Sequence, residues 1–228
     1  NDDKLTPYYY YPILVSFTEE ELHEYVEITD KVAKILKKVP HGDDLPQSAE
    51  RLLIKRARII AGAQEKVNAL KEVIKSYKEE KQLLVYCGAT NVESEYLSDN
   101  DFDSSEQIDE VTSLLGNTLQ MRVTQFTSAE DSKQRELIKE EFSKGEIQAL
   151  VAIKCLDEGM NIPGIKTAFI LASSTNPKEY IQRRGRVLRK APGKVYATIY
   201  DFVTLPRPLD EYSYPSSVQA ELSLVKRE

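Results

Sequence analysis

The residues whose types and spacing best suit ligand binding or catalysis lie in an arginine-rich stretch near the end of the chain. Residues 182–189 read Gln-Arg-Arg-Gly-Arg-Val-Leu-Arg. Arg183, Arg186 and Arg189 recur every three residues, a spacing that places them near one side of a helix. Guanidinium groups are forked donors that keep their charge, and they suit phosphate oxygens. The stretch is therefore either a phosphate-binding site or the solvated basic end of a helix.

A second candidate segment lies upstream, where a buried strand should run into a polar turn. Residues 149–153 form an apolar run of strand length, and a polar stretch containing Gly159, Asn161 and Pro163 follows. Gly159 permits a tight turn, and the Asn161 amide offers both a donor and an acceptor beyond the strand. We expect this turn to line a binding site rather than to hold an acid–base pair.

The elements that must position these segments alternate between strands and helices after residue 81. Strands separated by helices of about 10–15 residues are typical of a parallel sheet with helices on both faces. Ligands of such sheets bind at the carboxyl ends of the strands. The strands are expected at residues 83–87, 120–126, 149–153, 167–172 and 196–203. The intervening helices are expected at about 105–115, 129–144 and 177–188.

Residues 1–46 are predicted to form a connector and a helix, an N-terminal helical extension of the main lobe. Pro7 and Pro12 enclose four tyrosines and favour extended backbone for them. We interpret this run as a connector that packs on the lobe surface, with a base-stacking platform as the weaker alternative. Thr18 and Glu21 have the spacing of a capping box and should begin a helix.

A second helix is predicted after Pro46. Its apolar residues keep helical spacing from Ala49 to Ile74. The basic residues along it either form a solvated face or contact phosphates. These residues are Arg51, Lys55, Arg56 and Arg58.

The main lobe is predicted to span residues 47–205, with an irregular tail at 206–228. An acidic insertion is expected at about 91–110, where eight acidic residues occur without a lysine or arginine. An insertion of this charge should face away from any nucleic acid.

Composition narrows the class of protein. The formal net charge is −6, so any nucleic-acid contact must be a local patch. Cys87 and Cys155 cannot form a disulfide framework, and we expect buried thiols in a reducing cytoplasm. The apolar runs are too short to span a membrane, and no leader begins the chain. His23 and His41 are the only histidines, and no cysteine pair has zinc spacing, so no metal site is predicted.

Together these motifs resemble the C-terminal RecA-like lobe of superfamily 2 helicases and translocases. Residues 83–87 are similar to motif IV, residues 154–163 to motif V, and residues 182–189 match the motif VI pattern Gln-x-x-Gly-Arg-x-x-Arg. The finer pattern is similar to the DNA-directed branch that holds excision-repair helicases and restriction translocases. Ile153 and Asn161 depart from the family, which often has Thr and usually Asp at these positions.

The resemblance implies a role for each motif. Arg186 and Arg189 would be arginine fingers that reach the γ-phosphate of ATP held by a neighbouring lobe, and Gln182 would orient that group. The residues expected to line the nucleotide side of the cleft are Gly159, Asn161 and Arg183. The branch resemblance favours DNA as the nucleic acid. The residues expected to hold the backbone phosphates of one strand are Gly88, Thr127, Ser128 and Lys154.

The sequence contains neither a Walker A loop nor an Asp-Glu-x-His motif. We therefore expect ATP and Mg²⁺ to be held mainly by an N-terminal lobe of the same native chain, a truncation that the Asn1 start also suggests. The chain alone should neither bind ATP tightly nor hydrolyse it. The alternative is a nucleic-acid- or partner-binding module without ATP chemistry. An unrelated doubly wound enzyme lacks support, since the sequence has no Gly-x-Gly-x-x-Gly after a strand and no nucleophile elbow.

Overall fold

The computed structural model of the chain describes residues 5–40, 44–88, 102–127, 129–153, 164–172, 185 and 187–205. The strands are β1 (Tyr8–Ser16), β2 (Leu83–Cys87), β3 (Val123–Phe126), β4 (Ala149–Ile153), β5 (Thr167–Ile170) and β6 (Ala197–Leu205). The helices are α1 (Glu19–Leu36), α2 (Gln47–Gly62), α3 (Glu65–Ile74), α4 (Phe102–Ser113) and α5 (Ser132–Lys144).

The six strands form one parallel sheet in the order β1-β6-β5-β2-β4-β3. β2 lies inside the sheet, and all five of its residues are buried. A continuous apolar strand of this kind is stable only where both faces of the sheet are covered. The parallel sheet expected from the sequence is therefore confirmed.

Each face of the sheet is covered by a different set of elements. On one face, Phe142 of α5 packs with Val187 and Leu188 from the arginine-rich stretch. On the other face, α3 contributes Leu70, and α4 contributes Val111. The alternation of side chains along each strand separates these two cores.

The tyrosine run near the start of the chain belongs to the sheet. β1 pairs with β6 along nine residues, from Tyr8 opposite Ala197 to Ser16 opposite Leu205. Its ring contacts add to this pairing, since Tyr11 stacks on Tyr200 with centroids 5.2 Å apart. The expected surface connector is thus an edge strand, a position that tolerates proline. The predicted domain boundaries at residues 46 and 205 stay predictions.

The long second helix expected from the sequence is two helices. α2 ends at Gly62, and Ala63 has the extended ψ of 122° that turns the chain into α3. The buried Lys66 holds this turn to the sheet, because its ammonium donates to the carbonyls of Ile60 (2.7 Å) and Leu171 (2.6 Å). Helical periodicity continued across the turn and so concealed it.

Caps fix the ends of two helices. Thr18 and Glu21 form the predicted capping box of α1, and Glu21 also accepts from the Gln64 backbone N–H at 2.9 Å. Asp131 caps α5 in the same way, and Gly145 ends that helix with a φ of 76°.

β3 starts three residues later than expected. A π-helical turn at Leu114–Thr118 extends α4, and Gln120 then reverses the chain with a φ of 56°. The acidic insertion before Phe102 and the tail at 206–228 lie outside the described residues. No helix within the described ranges is long and apolar enough to cross a bilayer.

Candidate functional site

Gly88 and Thr127 both lie at the carboxyl edge of the sheet. Gly88 follows β2 and Thr127 follows β3, and β4 lies between these strands. Two strand spacings amount to roughly 10 Å, so these residues lie on one face of the molecule. The structure thus brings together two of the four residues expected to contact nucleic acid.

Gly88 is enclosed in this position. A Cβ atom there would lie 3.0 Å from the Ala172 Cβ and 3.3 Å from the Ala61 Cβ. Its N–H donates to the Gln107 Oε1 at 3.3 Å, and Gln107 in turn donates to the Ala61 carbonyl. A side chain at this position would require Ala172 or Ala61 to shift, and the Gly88 N–H is directed to Gln107.

Thr127 presents two donors that converge on a carboxylate. Its N–H donates to Glu130 Oε2 at 2.6 Å, and its hydroxyl lies 3.1 Å from the same oxygen. The Arg135 guanidinium donates to the Thr127 carbonyl at 3.0 Å and steadies the turn. Both donors of Thr127 are therefore taken by the Glu130 carboxylate.

The arginine-rich stretch is anchored by its apolar residues. Gly185 and Val187 are helical, and Val187 and Leu188 are 1% and 4% exposed. The Arg189 side chain is exposed. Burial of the two neighbouring residues fixes the backbone while the guanidinium remains at the surface.

The carbonyls at the end of this stretch are bound by residues that the sequence analysis did not select. The Thr6 N–H donates to the Leu188 carbonyl at 2.7 Å, and its hydroxyl donates to the Arg189 carbonyl at 3.3 Å. The Lys194 ammonium donates to the carbonyls of Val187 and Arg189. Thr6 carries no motif that could have identified it, because the contact spans 183 residues.

These contacts place Arg189 away from the carboxyl edge. Leu5 pairs with Arg189 in an antiparallel bridge, and the chain then enters β1 at its amino end. Gly88 and Thr127 lie at the opposite ends of strands of four or five residues, which span roughly 16 Å. The structure therefore separates the Arg189 backbone from the expected nucleic-acid contacts.

Seven of the ten predicted site residues fall outside the described residues. They are Ser128, Lys154, Gly159, Asn161, Gln182, Arg183 and Arg186. Their roles stay predictions.

The basic residues of α2 form internal contacts as well as a solvated face. Lys55 pairs with Glu24 at 2.6 Å, and the Arg56 guanidinium lies 5.9 Å from the centre of the Tyr25 ring. Both contacts join α2 to α1, while Arg51 is exposed.

Neither a metal centre nor a reactive thiol is apparent in the described ranges. They hold no group of three or more His, Cys, Asp or Glu side chains that could bind a metal ion. Cys87 is buried in β2, and burial raises the pKa of its thiol. Cys87 is therefore a core residue, and Cys155 lies outside the described residues.

The class of the protein follows from the fold and from its sequence family. Residues 65–191, more than half of the chain, match the family model described as the helicase conserved C-terminal domain. The chain belongs to this family. Its resemblance to the C-terminal RecA-like lobe of superfamily 2 helicases is thereby confirmed.

Two curated proteins are similar in sequence to parts of this chain. The chain is 25% identical over 194 residues to the DNA 3'-5' translocase XPB2 of Sulfurisphaera tokodaii, covering 78% of this chain and 39% of that protein. It is 39% identical over 82 residues to the ATP-dependent DNA helicase MPH1 of Debaryomyces hansenii, covering 32% of this chain and 7% of that protein. The chain thus spans well under half the length of either relative.

Two solved structures share the fold. The C-terminal part of the Fun30 ATPase domain has a TM-score of 0.59 at 15% identity, with 97% of this chain and 98% of that chain covered. The Hef helicase domain of Pyrococcus furiosus has a TM-score of 0.53 at 13% identity, with 96% and 59% covered. The RecA-like fold class is therefore confirmed.

Proposed function

We propose that this chain is the second motor lobe of an ATP-dependent DNA helicase or translocase. In this proposal Arg186 and Arg189 complete an ATP site whose other wall is an N-terminal lobe of the same native chain. The observation that carries the proposal is the anchored arginine-rich stretch. Val187 and Leu188 are buried in the sheet core, and the neighbouring Arg189 is exposed.

The residues of this chain fit part of an ATP site. An exposed guanidinium suits phosphate oxygens, whereas the described residues offer no cluster of acidic ligands for Mg²⁺. When bound, ATP and Mg²⁺ supply the transferring phosphoryl group and neutralise part of its charge. Arg186 and Arg189 would stabilise the charge that spreads over that group, and Gln182 would orient it. Gly159, Asn161 and Arg183 would line the same side of the cleft.

The carboxyl edge of the sheet is the proposed nucleic-acid face. The N–H and the hydroxyl of Thr127, which contact Glu130, would bind a phosphate there in its place, and Gly88 lies on the same edge. Ser128 and Lys154 adjoin these positions in the sequence. Contacts to backbone phosphates carry no base information, as a translocase requires. DNA is favoured because both curated relatives are named for DNA.

A comparison of two proteins tests this proposal. ATP turnover is measured for residues 1–228 and for the full native protein, each with and without single-stranded DNA. We expect DNA-stimulated turnover from the native protein and none from residues 1–228. Turnover by residues 1–228 alone would contradict the half-motor proposal. A native protein that binds DNA without hydrolysing ATP would instead be a binding module.

A further inference from the structure

Three consecutive carbonyl groups at the end of the arginine-rich stretch are bound by donors from outside it. The carbonyls belong to Val187, Leu188 and Arg189, and the donors belong to Thr6 and Lys194. The last carbonyls of a helix have no partner within the helix. Thr6 and Lys194 therefore cap this stretch.

A tight turn delivers Lys194 to the cap. The Lys194 N–H donates to the Ala191 carbonyl at 3.1 Å, with Pro192 and Gly193 between them. Gly193 has a φ of 74°, which favours glycine. Burial lowers the pKa of Lys194 to about 8, so its ammonium form still predominates at pH 7. A charged donor thus reaches the carbonyls under ordinary conditions.

The cap acts on the backbone at and next to the arginines of the proposed ATP site. Arg189 is itself one of the capped residues, and Arg186 directly precedes the first of them in sequence. Catalytic groups lose about 100-fold in rate when they are displaced by about 1 Å. A cap that limits backbone movement at residues 187–189 would therefore affect turnover without touching ATP.

We propose that Lys194, assisted by Thr6, is a positioning residue that holds the arginine-rich stretch in its working geometry. This inference rests on the proposed function, because it assumes that Arg186 and Arg189 act on a phosphoryl group. It adds two residues to the site, one from the segment that leads into β1 and one from the turn before β6.

The test compares Lys194→Met with Lys194→Arg in the full native protein. We expect Lys194→Met to lower kcat for ATP about tenfold, with the KM for ATP and the thermal midpoint nearly unchanged. Lys194→Arg keeps a charged donor and should restore most of the rate. Lys166→Met removes an exposed lysine elsewhere and serves as the matched control. Thr6→Val removes one hydroxyl donor with little change in shape and should lower kcat about threefold.

Each outcome bears on the proposal. It is overturned if Lys194→Met keeps kcat within twofold of the native value, or if Lys194→Arg restores nothing. If Lys194→Met fails to fold, the Thr6→Val variant provides the test. An unchanged kcat in Thr6→Val then overturns the inference. Arg189→Ala is measured in parallel. Normal turnover in that variant would refute the role of Arg189 itself, whatever Lys194 does.

Discussion

Glu130 places a carboxylate where a nucleic-acid phosphate would have to bind. Its two oxygens take the N–H and the hydroxyl of Thr127. A phosphate that used these donors would displace the carboxylate and would meet its negative charge nearby. Thr127 could be selected from the sequence, because it follows a strand. Its partner Glu130 has the same Thr-x-x-Glu spacing as the capping box of Thr18 and Glu21, a signal that the sequence analysis used only for the earlier pair.

Glu130→Gln should therefore tighten the binding of single-stranded DNA. One unit charge near a phosphate at the protein surface costs about 1 kcal/mol, which corresponds to about fivefold in Kd. Glu136→Gln is the matched control, since Glu136 lies in α5, the helix that follows Glu130, and its change alters the net charge equally. Fluorescence anisotropy at fixed salt measures both affinities. Equal effects of the two variants would remove Thr127 from the proposed nucleic-acid face.

Helices and strands can be predicted from the sequence where residues within the segment itself mark its ends. The capping box at Thr18 and the glycine at 145 mark helix ends, and both are observed. β1 and the break between α2 and α3 depend on distant partners instead. β1 requires the pairing with β6, and the break requires Lys66 to reach Leu171. No pattern within either segment contains that information.

Gly145→Ala should destabilise the fold. Gly145 has a φ of 76°, a conformation that costs other residues about 1–2 kcal/mol. The added Cβ would also lie 2.6 Å from the Lys81 Cδ, although that side chain can shift. Gly62→Ala is the control, because a Cβ there meets nothing within 4 Å. Urea unfolding should show a loss for Gly145→Ala only, and equal stabilities would contradict the argument from backbone conformation.

At the scale of the whole molecule, the N-terminal helices and the sheet form one packed body. Glu21 joins α1 to the start of α3, and Lys66 joins the α2–α3 turn to the end of β5. The sequence predicted five of the six strands and the helices α1, α4 and α5. It did not predict that the arginine-rich stretch ends near the amino end of β1. That placement depends on the contact between Thr6 and Leu188, which are far apart in the chain.

Lys66→Met tests how much the contacts of Lys66 stabilise the packing of the α2–α3 turn against the sheet. The Leu171 carbonyl would lose its charged donor, whereas the Ile60 carbonyl would keep the Thr204 hydroxyl, and a buried polar group left without its partner costs about 1–3 kcal/mol. Lys71→Met, on an exposed position of α3, is the matched control. The free energy of unfolding in urea should fall by about 2 kcal/mol for Lys66→Met alone. An unchanged free energy of unfolding would mean that the Lys66 contacts do not stabilise the packing of this turn against the sheet.

Arg186→Ala in the full native protein tests whether this chain completes an ATP site with its arginines. Removal of such a group should lower DNA-stimulated ATP turnover by at least about 10²-fold while ATP binding persists, because the charge it stabilises is that of the transferring phosphoryl group. Arg122→Ala is the control, since Arg122 donates to the backbone carbonyls of Gly145 and Glu146 at the other end of the sheet from Thr127. Loss of turnover in Arg186→Ala alone is the expected result, and near-normal turnover in that variant would contradict the account.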